Sequence, residues 1–305
     1  MKVLIAVDGS AGSFEAVSQV GGLLTPDHDQ VALYYSPPEV RLSATSAGAD
    51  LRARARRALA QGVLDESCSK LPAGMQAGAH SIEGTQDARH GIAVAAEQWH
   101  ADLIVVGARG LSQFERLLLG SVSRSVAHAV RIPVWVARPR QTPAGEGFHV
   151  VLACECPKSG RPAAGLLGKL TWPQGATCQV MTVISSFYAG EVPDWLLQQA
   201  RSADVEAFAQ KWAREHDEAL RNNLASMRDF GRSLPAGLQL SEPLVAEGDP
   251  AEQILAAIGR EKTDLVVVGV KRKHSFAEAI FGSTSEAVLN HASCSVLLVP
   301  HIETP

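Results

Sequence analysis

Four residues at a fixed spacing suggest chemistry first. Gly107 and Gly110 open the stretch GARGLSQFERLLLGS, nine residues follow Gly110, and Gly120-Ser121 close it. A glycine lets the backbone turn sharply and leaves room for a ligand to approach it closely. A helix that starts at Ser121 offers an anion free N–H groups and the positive end of its dipole. Ser121 and Ser123 add hydroxyl donors. Brought to one place, the two glycine sites would bracket an oligophosphate. Asp8 completes the set, because a carboxylate accepts two hydrogen bonds from vicinal hydroxyls, which a ribose presents. Dinucleotide-binding folds use an acidic residue for the same task. For Ser121 taken alone, helix N-capping is an equally good explanation.

These residues need elements to hold them. VLIAV, QVALYY, LIVVG and PVWVA are short apolar, β-rich runs, and AGAHSI is a weaker one. Between them lie SFEAVSQVGGLL, LRARARRALAQGVLDESCSKL, DARHGIAVAAEQWH and SVSRSVAHAV, which have helical spacing; Phe14, Val17, Val20 and Gly21 share one face. Continuous apolar strands alternating with helices predict a parallel sheet covered on both faces. Ligands bind such sheets beyond the carboxyl ends of the strands. Asp8 follows the first strand, Gly107 ends the fourth, and both reach that edge. Residues 111–119 form a short amphipathic segment with Phe114, Leu117 and Leu118 toward the core.

The chain then repeats itself. Ala101 to Pro139 aligns without a gap with Thr263 to His301: Asp102 matches Asp264, Gly107 matches Gly269, and Gly120-Ser121 match Gly282-Ser283. KVLIAVDGS resembles HVVLACECP. We therefore divide the chain into 1–140, a Pro- and Gly-containing linker 141–147, and 148–305. The second copy is longer, chiefly between Val192 and Phe230, where an amphipathic helix carries Trp195, Val205, Phe208 and Trp212 as core candidates or as a partner surface.

At this point the chain resembles a tandem universal stress protein. Gly107, Gly110, Gly120 and Ser121 match that family's nucleotide motif in full, and Asp8 matches its acidic ribose contact. The resemblance implies adenine packing near Ala6 and Val7 and adenine hydrogen bonding to the backbone around Tyr35. It also implies a pocket lined by Val106 and Val122, with Ser123 near phosphate. The implied fold is α/β: two open five-stranded parallel sheets of order 3-2-1-4-5, paired through their last strands as a pseudo-dimer. The implied ligand is ATP or AMP, with or without Mg2+, and weak ATP hydrolysis is the most activity expected. The second copy departs from the motif, with Arg272 in place of Gly110 and Glu155 in place of Asp8. Nucleotide binding there is expected to be lost or altered. A nucleotide-free scaffold acting through protein partners is the alternative for the chain.

Other features narrow the reading. The 305 residues are 46% hydrophobic and 20% charged, with a formal net charge of -4, so the chain has no general attraction for nucleic acid or an anionic membrane. No apolar run approaches the roughly 20 residues of a membrane-spanning helix, and MKVLIAVDGS is too short for a signal-peptide core. A cytoplasmic protein is expected, with protein partners and pairing into a homodimer among its expected interactions. An odd count of five cysteines argues against a disulfide framework. Cys154 and Cys156 would share a face if they lay in a strand, and small buried side chains are the plain reading. Arg52 to Arg57 reads as a solvated helix face, KRKH (Lys271 to His274) as a solvated loop, and His100 and His128 as structural helix residues. No P-loop, metal-ligand cluster or nucleophile motif is present.

Overall fold

The computed structural model describes residues 1–38, 46–85, 87–110, 119–142, 147–184, 203–260, 262–272 and 282–302, with the backbone alone for 46–49, 203–206, 208–209, 272 and 302. The expected segment 111–118 with Phe114, Leu117 and Leu118 lies outside the described residues. So do Trp195, the middle of the linker, and the side chains of Val205 and Phe208.

The first strand sets the frame. β1 (Lys2–Ala6) pairs in parallel with β2 (Gln30–Tyr35) and with β4 (Leu103–Gly107). Successive side chains of a strand point to opposite faces, and both faces of β1 are apolar. Val3 and Ile5 join Val17 of α1 (Ala11–Gly21) and Leu64 of α2 (Ser46–Ser69) in one buried cluster. Leu4 and Ala6 join Ile92 of α4 (Ala88–Trp99) and Val126 of α5 (Ser121–Ala129) in the other. A short turn of helix, α3 (Ala73–Gln76), precedes β3 (His80–Glu83). With β5 (Val134–Ala137) the order is β3-β2-β1-β4-β5. This is the order implied by the family resemblance.

The second half repeats the order. β6 (His149–Ala153) lies between β7 (Thr177–Ile184) and β10 (Leu265–Arg272), and β10 pairs in parallel with β11 (Ser295–Ile302). α6 (Pro157–Leu167), α7 (Ala203–Gly231), α8 (Pro250–Arg260) and α9 (Ser283–His291) supply the helices. The outermost position is shared by two short strands, β8 (Gln239–Leu240) and β9 (Leu244–Glu247), which both pair with β7. Trp212 on α7 is half-buried.

The halves meet through their last strands. β5 runs antiparallel to β11, with Trp135 opposite Leu297, and the result is one eleven-stranded sheet. Each half is parallel within itself, so this pairing turns the carboxyl ends of the two halves to opposite edges. Arg138 seals the seam: its guanidinium donates to the carbonyls of Leu289 (2.7 Å) and Cys294 (3.3 Å), and its N–H donates to Ser295 Oγ (3.0 Å). Burial pulls its pKa down to about 10, so it remains charged at neutral pH. His128, expected to be structural, sits 3.1 Å from Glu286 across the same seam.

The matched aspartates have one structural task. Asp102 Oδ2 accepts the Lys2 N–H at 2.7 Å and ties β1 to the start of β4. Asp264, fully buried, accepts the corresponding N–H of His149 at 3.0 Å. It also accepts from the N–H groups of Gln141 and Thr142 and from the Thr142 hydroxyl, which anchors the end of the first half.

Two readings of the sequence change. β6 ends at Ala153, so Cys154 and Cys156 do not share a strand face; Cys156 is the exposed N-cap residue of α6. KRKH does not begin as a loop, because Lys271 and Arg272 extend β10. All five cysteines are free thiols. Among the described residues, no helix is long and apolar enough to cross a membrane.

Candidate functional site

The first repeat gathers its motif at the carboxyl edge of β1 and β4. Past Ala6 the chain turns at Asp8, whose Oδ1 accepts the Ser10 N–H at 3.0 Å. Ser10 in turn caps α1 by accepting the Ser13 N–H at 3.2 Å. Asp8 is therefore held by the start of a helix. β4 ends at Gly107, the Ala108 N–H donates to the Ala137 carbonyl at 2.8 Å, and the chain then brings Gly110 to Asp8. A Cβ added to Gly110 would lie 2.6 Å from Asp8 Oδ2, well inside carbon–oxygen contact. Only glycine allows the turn to come this close to the carboxylate.

The second glycine site closes on the first. The Gly120 N–H donates to the Ala108 carbonyl at 2.8 Å, and the Ser123 hydroxyl donates to the Gly107 carbonyl at 2.6 Å. Gly120, not Ser121, is the N-cap of α5, and as a glycine it makes no side-chain cap bond to the N–H groups of that first turn. Ser121 is the first helical residue and is exposed. N-capping therefore does not explain it. Ser123 is buried, and its hydroxyl proton is already given to Gly107.

The remaining predicted residues surround this edge. Ala6 lies beside Val106 in the β1–β4 register and beside Tyr34 in the β1–β2 register. Ala6, Val106 and half-buried Val122 belong to one face of the sheet, and Val7 and Tyr35 to the other. The Tyr35 carbonyl already accepts the Gly84 N–H at 2.7 Å. The sequence reading missed Arg89, whose guanidinium reaches Ser121 Oγ at 3.4 Å from the start of α4. It lies far from the motif in sequence, so no spacing rule points to it.

The second repeat builds the corresponding edge differently. Its β10 runs four residues past Val268, with Gly269 to Arg272 in register with Val299 to Ile302. The chain continues as a strand at the point where the first repeat turns. Glu155, the counterpart of Asp8, forms a 2.8 Å ion pair with Lys271 on that extension. Gly269 lies against His301: a Cβ there would come within 2.9 Å of the imidazole. Gly282 caps α9 without a side-chain bond, and Ser285 donates to the Gly282 carbonyl at 3.0 Å. A cavity of about 390 Å³ opens at this edge.

The model of the universal stress protein family matches residues 1–138 and 173–300. The chain belongs to the universal stress protein family. The "Universal stress protein in QAH/OAS sulfhydrylase 3'region" of Thermus aquaticus is 35% identical over 85 residues, 27% of this chain and 62% of that relative's length. Universal stress protein Slr1101 of Synechocystis is 28% identical over 96 residues, 32% of this chain and 85% of the relative. Among solved structures, a universal stress protein from Archaeoglobus fulgidus is similar over 98% of both chains, with a TM-score of 0.59 and 18% identity. A putative universal stress protein from Pseudomonas aeruginosa is similar over 98% of this chain and 92% of its own, with a TM-score of 0.54 and 14% identity. At these identities the structures speak for the fold.

Within this family fold the two edges are chemically unlike. The first combines a lone carboxylate, a glycine turn against it and an uncapped helix start beside an arginine. The second combines an ion pair, a histidine and a cavity. No group of three or more His, Cys, Asp or Glu that could hold a metal occurs among the described residues.

Proposed function

We propose that the chain is a stress-response regulatory protein that binds an adenine nucleotide, ATP or AMP, in its first repeat. The reading rests on one observation above all: the Gly107–Gly110 turn presses against Asp8 so closely that a Cβ on Gly110 would lie 2.6 Å from its carboxylate. That contact sets a turn without a side chain of its own at Gly110 against a carboxylate that is suited to a ribose. The N–H groups of the first turn of α5, from Ser121 on, and the Arg89 guanidinium near Ser121 are suited to phosphate. The choice of adenine comes from the family resemblance. The roles of Ala6, Val7, Tyr35, Val106 and Val122 as base and pocket contacts belong to the same proposal. Any Mg2+ would arrive with the phosphates. The division into 1–140, 141–147 and 148–305, an intrachain pseudo-dimer and a cytoplasmic location complete the proposal.

The test is to denature freshly purified full-length protein and identify the released nucleotide by chromatography. We expect one adenine nucleotide per chain, lost in Gly110→Arg and Asp8→Asn. No release together with no binding of added ATP would leave the scaffold reading in its place.

A further inference from the structure

The cavity of the second repeat is large enough for an organic ligand, since small-molecule sites span roughly 300–1,000 Å³. It lies where β6 and β10 run side by side, the point at which open α/β sheets take ligands. Its floor is apolar, with Met181, Val183, Ile254 and Val268 among the lining residues. Its exposed polar groups include Glu155, Lys271 and Ser283 at the start of α9, with half-buried His301 beside them, while Ser285 lines it as a buried hydroxyl. An apolar body with one polar end fits this division.

The sign and size of that end follow from the exposed groups. Lys271 and the uncapped first turn of α9 attract negative charge. Glu155 opposes it, and an acid group that reaches Lys271 must compete with the 2.8 Å Glu155 pair. One negative charge can be balanced there; a polyphosphate meets the carboxylate and lacks the turn that would wrap it. That turn is absent because β10 continues in register to Arg272. We propose that this cavity binds a small organic monocarboxylate with an apolar body, a ligand class distinct from the nucleotide of the first repeat. The proposal stands on the second repeat alone and does not depend on nucleotide binding in the first.

The experiment is isothermal titration of the full-length protein with 3-phenylpropanoate, its alcohol 3-phenylpropan-1-ol, its amine 3-phenylpropylamine, and ATP. We expect the acid to bind once per chain and at least about tenfold more tightly than the alcohol or the amine, the worth of one charge-assisted contact. Val183→Trp, which fills a half-buried part of the cavity, should abolish the acid's binding. Lys271→Gln, a change at an exposed position that removes the charge and keeps a polar end, should weaken it about tenfold. Glu155→Gln removes the competitor and should strengthen it. Thermal melting of each variant checks folding. Gly110→Arg should leave acid binding unchanged whatever it does to ATP. The proposal is overturned if the acid does not bind, if binding is indifferent to both Val183→Trp and Lys271→Gln, or if ATP binding requires those two residues.

Discussion

Substituting Gly110 by alanine isolates the contact that carries the proposed function. The new Cβ would stand 2.6 Å from Asp8 Oδ2, against an ordinary carbon–oxygen contact of about 3.5 Å, so carboxylate and turn must part by nearly 1 Å. The obstructing atom is the end of a short side chain at a half-exposed position, so Asp8 can rotate away. The cost to folding is then little more than the Ser10 N–H bond to Asp8, about 1 kcal/mol. The cost to binding is larger. A displaced Asp8 loses charge-assisted hydrogen bonds to a ribose, worth about 1.5–3 kcal/mol, which is roughly a 10- to 150-fold weaker Kd. Chemical denaturation in the absence of ligand gives the first quantity, and titration with ATP and AMP gives the second. Alanine at 110 that binds nucleotide as tightly as glycine would refute the argument, and so would a loss of stability as large as the loss of binding.

Other consequences are independent of the ligand. Arg138→Met should destabilise the chain by about 3 kcal/mol in urea denaturation, because the Leu289 and Cys294 carbonyls lose their buried donor at the seam. Asp264→Asn should cost about 3 kcal/mol and Asp102→Asn about 1, since one carboxylate accepts four bonds in a buried site and the other ties a single strand end. Brief treatment with iodoacetamide at neutral pH, followed by peptide mass spectrometry, should label Cys156 first. Its thiol is exposed, and hydrogen bonding from the Ser159 N–H holds it below the usual thiol range. Burial pushes Cys294 up to about 12. A raised thiol stays protonated in the folded chain while the unfolded one ionises above about 8.5. The linked stability is therefore intact below that pH and declines as pH rises toward the folded value. Near pH 10 the loss is about 2 kcal/mol, and Cys294→Ala should remove that part of the pH dependence.

Much of the first repeat was legible because its signals are local. Apolar runs such as LIVVG become β4 without a shift of boundary, since a strand buried on both faces must be apolar throughout. Spacing also located Gly107, Gly110, Gly120 and Ser121 as one motif. Arg89 was not legible, because it reaches Ser121 only after α4 has packed beside α5. The Cys-x-Cys spacing misled because periodicity does not say where a strand stops: β6 ends at Ala153 once α6 takes its N-cap at Cys156.

The sequence by itself determined the repeat, the alternation of strands and helices, and the loss of a glycine at Arg272. Those are properties of neighbouring residues and of residue type. The tertiary structure alone decided what that loss does. An arginine in place of Gly110 cannot lie as close to the carboxylate as the glycine turn does, and the backbone groups of a turn that is not made must find other partners. In the second repeat they find β11, and Gly269 to Arg272 pair with Val299 to Ile302. That pairing carries Lys271 to Glu155 and leaves a cavity where the first repeat has a turn. No local pattern contains this outcome, because it depends on a strand about thirty residues away in sequence and next to β10 in the sheet.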